Sequence, residues 1–458
     1  MIMPFFLHAC EREDKQDYFI ISGKIMKYKD NMKIGLKKQV RFDFINNIEP
    51  DGTFSDTIYS NFGRYHFVHD SFRLPLYVGK GYNVHVVYDA ENIDQTLLVT
   101  GSGAEIVHYF LAKEKQMSLF KRVNELSSLS EVDFKREMNR LKNEKINFLD
   151  NFEKLPNAFK RKERNDIHYN YLGCLDYYAK SIEKKRENKE VLDISENFFK
   201  ERRALTYDNE EDFQYSDIYI NMVFGYYQKE SELLAQQSNI SEDLAYVKAV
   251  SKNPSELIRN ELLNGYVNRK FKYSRGITSN SLDELYNGFM SIVTNDEYKK
   301  NVTETYNKLL TLLPNKISPV FNNYENYNGG TTSLSDFKGE YVFIDVWATW
   351  CSSCLRELPH LKELEEEYHG KNIKFISISV DKSNRYDAWR AMIKKKEMGG
   401  IQLIADNNKN SQFIQEYNIS LFPRFIVVDP QGYIVDSNAP KPSNKDAIKK
   451  LFNSLNIK

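Results

Sequence analysis

Cys351-Ser352-Ser353-Cys354 is the segment of this 458-residue chain whose residue types and spacing could do chemistry. Two cysteines at this spacing can close and reopen a disulfide when they sit where a strand runs into a helix. The apolar run Tyr341 to Ile344 precedes the pair, and a helical stretch, Leu355 to Tyr368, follows it. Cys351 is therefore expected at a helix N-terminus, where unpaired N–H groups and the helix dipole stabilise a thiolate. Cys354 lies nearly one turn further on, close enough to attack a mixed disulfide formed at Cys351. The expected chemistry is dithiol–disulfide exchange without a bound cofactor. Zinc binding would need two more ligands, and the chain has no second cysteine pair, so no metal site is expected.

The chain has only four cysteines, too few for a disulfide framework. Cys174 falls on an apolar helical stripe with Tyr171, Leu175 and Tyr178, which predicts an inert core thiol. Cys10 ends the apolar opening MIMPFFLHAC, after which the chain turns at once to charged residues. Leu7-His8-Ala9-Cys10 resembles a bacterial lipobox, with His8 departing from the usual pattern and the front of the signal looking clipped. That resemblance makes Cys10 a lipidation candidate, and the alternative is an ordinary terminus with a free thiol. Gly101-Ser102-Gly103 lacks the third glycine and the βαβ setting of a phosphate loop. His66 and His69 are expected on strand faces, because no ligand spacing completes a metal site around them.

The elements that must position the pair divide the chain into four parts. Residues 1–16 read as a clipped leader. Residues 17–103 alternate with a two-residue period, as in Val40, Phe42 and Phe44, and Pro50-Asp51-Gly52 supplies a turn. This predicts an antiparallel, sandwich-like β domain. Residues 104–315 change to a helical period, with Phe134, Met138, Leu141 and Phe148 on one face after a capping signal at Ser130. Residues 316–458 alternate strand and helix, with Tyr341 to Ile344, Lys374 to Val380 and Arg424 to Val428 suited to central strands. The fold class is thus multidomain α+β: an N-terminal β domain, a central all-α region and a C-terminal α/β domain. Lys+Arg and Asp+Glu both number 64, so no electrostatic footprint of a nucleic-acid partner exists. No apolar run of eighteen residues occurs, so no spanning helix is expected.

The C-terminal third resembles the TlpA/ResA-like branch of the thioredoxin superfamily. The resemblance rests on Gly329-Gly330, Ser333 to Gly339, Trp347-x-x-Trp350-Cys351-x-x-Cys354, Glu357 with Pro359, Leu421-Phe422-Pro423-Arg424-Phe425 and Val428 to Gly432. It implies a thioredoxin-like α/β fold, with Cys351 the attacking thiol and Cys354 the resolving one. Pro423 would be a cis-proline facing the disulfide, beside backbone that pairs with an extended substrate segment. Asp345 stands at the position of thioredoxin's buried carboxylate, and Glu357 where ResA-like proteins carry an acid. A buried carboxyl has a raised pKa and can exchange the proton that the thiol pair needs. Trp347 and Trp350 are expected to pack around the site.

The preceding β-plus-helical arrangement resembles N-terminal extensions of such proteins in some diderm bacteria. The implied setting is the periplasm or outer cell envelope, with membrane contact only through a lipid anchor. The implied partners are client proteins with disulfides and an upstream thiol electron donor, with reduction of clients as the reaction. A partner-binding or scaffold protein with an accessory redox domain, or a disulfide oxidant or isomerase, are the alternatives. A peroxiredoxin-type peroxidase is disfavoured, since the expected Pro and Thr placement before Cys351 is missing.

Overall fold

The computed structural model describes residues 18–29, 34–38, 41–45, 48–59, 63–187, 194–273, 278–455 and 457. These form two compact units that meet in sequence at Tyr226 and Tyr227. Cys10 lies outside the described residues.

The first unit begins with eight strands: β1 (Phe19–Met26), β2 (Ile34–Lys38), β3 (Arg41–Phe44), β4 (Thr53–Ile58), β5 (Gly63–His69), β6 (Phe72–Val78), β7 (Asn83–Asp89) and β8 (Leu98–Gly101). They build two four-stranded sheets, β4-β1-β7-β8 and β3-β2-β5-β6. Phe19, Ile21, Phe54 and Val86 of one sheet share a core with Tyr65, Phe67, Leu74 and Leu76 of the other. All pairings are antiparallel except β1 with β7, which run parallel because the intervening chain crosses to the second sheet and returns. Gly23 makes that pairing fit, since a Cβ there would lie 1.8 Å from the Val86 carbonyl oxygen.

Helices Ala104–Glu114 and Asn157–Glu187 follow in the same unit. A charge cluster ties them to β5. Glu163 is fully buried and accepts hydrogen bonds from Arg64 Nη2 (2.7 Å), Tyr109 Oη (2.8 Å), Tyr215 Oη (2.6 Å) and Lys113 Nζ. Arg64 also meets Asp166 at 3.2 Å, and its guanidinium lies over the Tyr215 ring at 4.1 Å. Cys174 is buried on the longer helix, and burial pushes its thiol up to about 12, as an inert core thiol requires.

The second unit carries further helices, including Glu256–Tyr273, Ser279–Ile292 and Asp296–Leu310, and then the C-terminal sheet. Its strands are β9 (Tyr324–Asn326), β10 (Thr331–Thr332), β11 (Tyr341–Trp347), β12 (Ile373–Ser379), β13 (Ile401–Ile404), β14 (Arg424–Val428) and β15 (Ile434–Asp436). Their order is β10-β9-β13-β12-β11-β14-β15, with β11, β12 and β13 parallel and β14 antiparallel to β11. The multidomain α+β architecture and the C-terminal thioredoxin-like sheet are those expected from sequence. β11 runs through Trp347, three residues beyond the apolar stretch, and this carries Asp345 inside the sheet.

One face of β11 packs Phe343 against Phe375, Phe425 and Phe452, together with Leu361 and Leu364 of helix Ser352–Glu367. The opposite face packs Ile344 and Val346 with Trp389 and Ile393 of helix Tyr386–Lys396. A sheet buried on both faces holds its strand ends rigidly, and the cysteine pair is built on one of those ends.

The buried charge cluster of the first unit yields a stability prediction. Glu163→Ala should destabilise that unit by about 3–5 kcal/mol, because Arg64 and Lys113 lose a fully buried partner. A fall in the urea midpoint, with the slope unchanged, would measure it.

Candidate functional site

The site grows from the end of β11. After Trp347 the chain leaves the sheet, and Asp381 clamps the turn. Its carboxylate accepts Thr349 N–H at 2.9 Å, Thr349 Oγ1 at 2.8 Å and Ser379 Oγ at 2.8 Å. Asp381 is itself buried at the end of β12, and sequence reasoning missed it. Its signal was faint, a lone acid just past a strand whose partner lies 32 residues away.

Helix Ser352–Glu367 starts directly after the clamped turn, with Cys351 as its N-cap. The Cys351 sulfur accepts the Cys354 N–H at 3.2 Å, a capping role usually taken by a side-chain oxygen. Cys351 and Cys354 form a disulfide, with their Cα atoms 5.2 Å apart. Cys351 retains 7% exposure and Cys354 2%, so an incoming thiol reaches Cys351 more readily. Ser353 Oγ has one proton and two acceptors, the Cys351 sulfur at 3.3 Å and the Phe422 carbonyl at 3.2 Å. That second contact draws the loop before β14 against the pair. The Phe422–Pro423 peptide in this loop is cis.

The aromatic residues divide. Trp347 is fully buried, whereas Trp350 is 53% exposed and meets the Phe422 ring edge-on at 6.0 Å. Trp350 therefore forms part of the rim rather than the packing expected for it.

Both acids lie beneath or on the same helix. Asp345 is 3% exposed, and its Oδ1 has no hydrogen-bond partner among the described residues. Burial pushes its carboxyl up to about 8, with Glu365 and then Glu357 adding like-charge repulsion. Glu357 is buried too, but both its oxygens are satisfied, by Ser443 N–H at 3.0 Å and Ser443 Oγ at 2.9 Å. Asp345 is thus the acid held without a donor, and Glu357 is the acid held by a hydrogen-bonded loop. Glu365, also on the helix, is pushed up to about 7, first by burial and then by Glu366. It was not singled out in the sequence because helix Ser352–Glu367 contains five glutamates and their order does not distinguish a half-buried one.

Among the described residues no cluster of three or more His, Cys, Asp or Glu could hold a metal ion. No described helix is long and apolar enough to cross a membrane.

The raised pKa of Asp345 has a definite sign in stability. The folded state binds a proton that the unfolded chain releases near its ordinary value of 3.8. That contribution is complete at low pH and is lost as pH rises toward about 8. Asp345→Asn should flatten the decline and leave the oxidised protein more stable than wild type at pH 8. Urea unfolding of the disulfide form across pH 4–9 would test this.

Comparison with known proteins assigns the second unit's sheet domain. The Redoxin family matches residues 314–455. The thiol-disulfide oxidoreductase ResA of Bacillus thuringiensis subsp. konkukian is 28% identical over 107 residues, which is 23% of this chain and 59% of the relative. The chain thus spans about three fifths of that curated relative's length. A candidate thiol-disulfide oxidoreductase of Bacteroides vulgatus, solved in solution, is 45% identical, covering 30% of this chain and 86% of its own, with a TM-score of 0.27. A thiol-disulfide oxidoreductase of Bacteroides fragilis is 27% identical, covering 30% of this chain and 99% of its own, with a TM-score of 0.27. Residues 314–455 thus form a Redoxin-family domain that is similar to the ResA-like thiol-disulfide oxidoreductases of the thioredoxin superfamily.

Proposed function

We propose that the protein reduces disulfides of client proteins through Cys351 and Cys354. The observation that carries this reading is the disulfide at the helix N-terminus, with the more exposed sulfur on the capping residue. In the reduced protein, the Cys351 thiolate attacks a client disulfide and the first client sulfur leaves as a thiolate. Cys354 then loses its proton and attacks the Cys351 sulfur, which restores the intramolecular disulfide and releases the second client thiolate. Asp345 is the proton acceptor and donor for Cys354, and Glu357 holds the neighbouring loop while biasing Asp345 electrostatically. Extended client backbone pairs beside Pro423, and the exposed face of Trp350 contacts it there. The setting is the envelope of a diderm bacterium, with a lipid on Cys10 as anchor and an upstream thiol donor restoring the dithiol.

Reduction is favoured over oxidation by what lies between the cysteines. A strong oxidant stabilises its reduced form with an unusually acidic thiol. Here Ser352 and Ser353 bring no positive charge, and the Ser353 proton is shared with the Phe422 carbonyl. Each loss of about 1.4 kcal/mol in thiolate stabilisation lowers the potential by about 30 mV. The potential is therefore expected nearer roughly −270 mV than roughly −120 mV. Equilibration against dithiothreitol would measure it, and a value above roughly −180 mV would overturn the reducing direction.

Trapping tests the exchange itself. Cys354→Ser should accumulate mixed disulfides at Cys351, which mass spectrometry would locate. Alkylation of the reduced wild type at mildly acidic pH should label Cys351 before Cys354 or Cys174. Absence of any Cys351 adduct with disulfide-bonded proteins of the envelope would rule the reading out and favour a binding role with an accessory redox pair.

A further inference from the structure

A polar row crosses the centre of the C-terminal sheet under the helix that carries the cysteines. Asp345 on β11 is in register with Ser377 on β12, and Ser377 with Gln402 on β13. All three are buried. Strands lie about 4.8 Å apart, so Gln402 is about 10 Å from Asp345 along this row. Polar side chains in the middle of a doubly covered sheet are costly unless satisfied. Yet Asp345 Oδ1 and Gln402 Oε1 both lack a hydrogen-bond donor among the described residues. The row ends at a cavity of about 240 Å³ between the far part of helix Ser352–Glu367 and the segment before β13.

Glu365 stands at the mouth of that cavity, which Gln402, Lys362 and Met398 also line. Helical spacing puts Cys354, Leu358, Leu361 and Glu365 on one sheet-facing stripe, and Glu365 lies about 16 Å along the helix from Cys354. Asp345 lies on β11, which packs against this helix through Phe343. Gly399 and Gly400 give the Glu365 carboxylate room beside the cavity. A Cβ at Gly399 would lie 2.3 Å from Oε2, and one at Gly400 would lie 2.9 Å from Oε1. An acid on a solvated helix face would need no such clearance.

We propose that Glu365 is a positioning residue that passes protons between solvent and Asp345 through this cavity during thiol–disulfide exchange. The inference rests on the redox role assigned to the cysteine pair. When a donor thiolate attacks Cys351 of the disulfide, the S–S bond breaks and Cys354 leaves as a thiolate. Asp345, protonated at neutral pH in this form, gives it a proton and becomes a buried carboxylate. Glu365 returns the proton to Asp345 by way of water in the cavity and the Ser377 hydroxyl, which stands between Gln402 and Asp345, and takes another from solvent. Water fits there, since each molecule needs about 30 Å³ and two or more polar partners. The reverse direction runs the same path outward. Glu365 suits the task because its own carboxyl is pushed up to about 7, so both protonation states are populated near neutrality. The charged groups facing this path are Glu357, Lys362 and Glu366 on the same helix and Lys396 and Glu397 across the cavity, with Lys362 and Glu397 3.9 Å apart.

The test is the rate at which dithiothreitol opens the disulfide of the full chain between pH 5 and 9, followed by tryptophan fluorescence. Glu365→Gln should slow opening about tenfold near pH 7, within the range proton transfer supplies. It should also shift the pH profile downward, because Asp345 loses a like charge. Glu365→Asp or added acetate should restore most of the rate, which a packing defect would not allow. In an Asp345→Asn background, Glu365→Gln should have no further effect. Superimposable profiles for wild type and Glu365→Gln, or equal slowing with and without Asp345, would overturn the relay alone. A wild-type disulfide that dithiothreitol does not open would overturn the redox role, and the relay with it.

Discussion

The bond from the Cys354 N–H to the Cys351 sulfur joins the chemistry to the fold. It caps a helix whose dipole then favours negative charge on that same sulfur. The capping geometry requires the chain to leave β11 and turn within a few residues, and Asp381 holds that turn with bonds to Thr349 and Ser379. The turn in turn requires β11 and β12 to end side by side, which their parallel register through Trp347 and Ser379 provides. The place of the Cys351 sulfur at a helix N-terminus is thus a consequence of how two central strands finish.

The same sheet tolerates an acid in its interior because the acid can stay neutral. Asp345 is buried on β11 in register with Phe425, and a charged carboxylate without a donor is strongly disfavoured there. Glu357 shows the opposite solution, a buried carboxylate held by the backbone and hydroxyl of Ser443. Two acids on neighbouring elements are therefore set apart by hydrogen bonding rather than by depth. One keeps an oxygen without a donor among the described residues, and the other holds a loop.

The first unit spends its buried charges differently. Glu163 gathers four donors from three elements, so its carboxyl group is fully hydrogen-bonded and joins β5 to three helices. Pairs of this kind add little net stability against an apolar replacement, but losing one partner is expensive. They specify how a β-sandwich and its helices fit, in a unit that carries no cysteine pair.

The cysteine pair and its strand-to-helix context were legible in the chain because they belong to a local motif, whereas Asp345, Glu357 and Pro423 stood out only through the resemblance to the TlpA/ResA-like branch. Spacing of three residues within one helix turn carries its geometry with it. The β, helical and α/β stretches were likewise readable from periods of 2 and 3.6 residues. Tertiary structure alone decided the rest. Asp381 reaches Thr349 across 32 residues, and Ser443 reaches Glu357 across 86, so no local pattern announces either. The parallel pairing of β1 with β7 depends on the path of five intervening strands. Trp350 and Trp347 look alike in sequence, yet Trp347 ends β11 within the buried sheet and Trp350 lies beyond the strand, exposed. Glu365 is one glutamate among several on its helix. Only its contact with Gly399 and Gly400 and the cavity it shares with Gln402 set it apart, and both depend on what folds beside a residue, not on the residue itself.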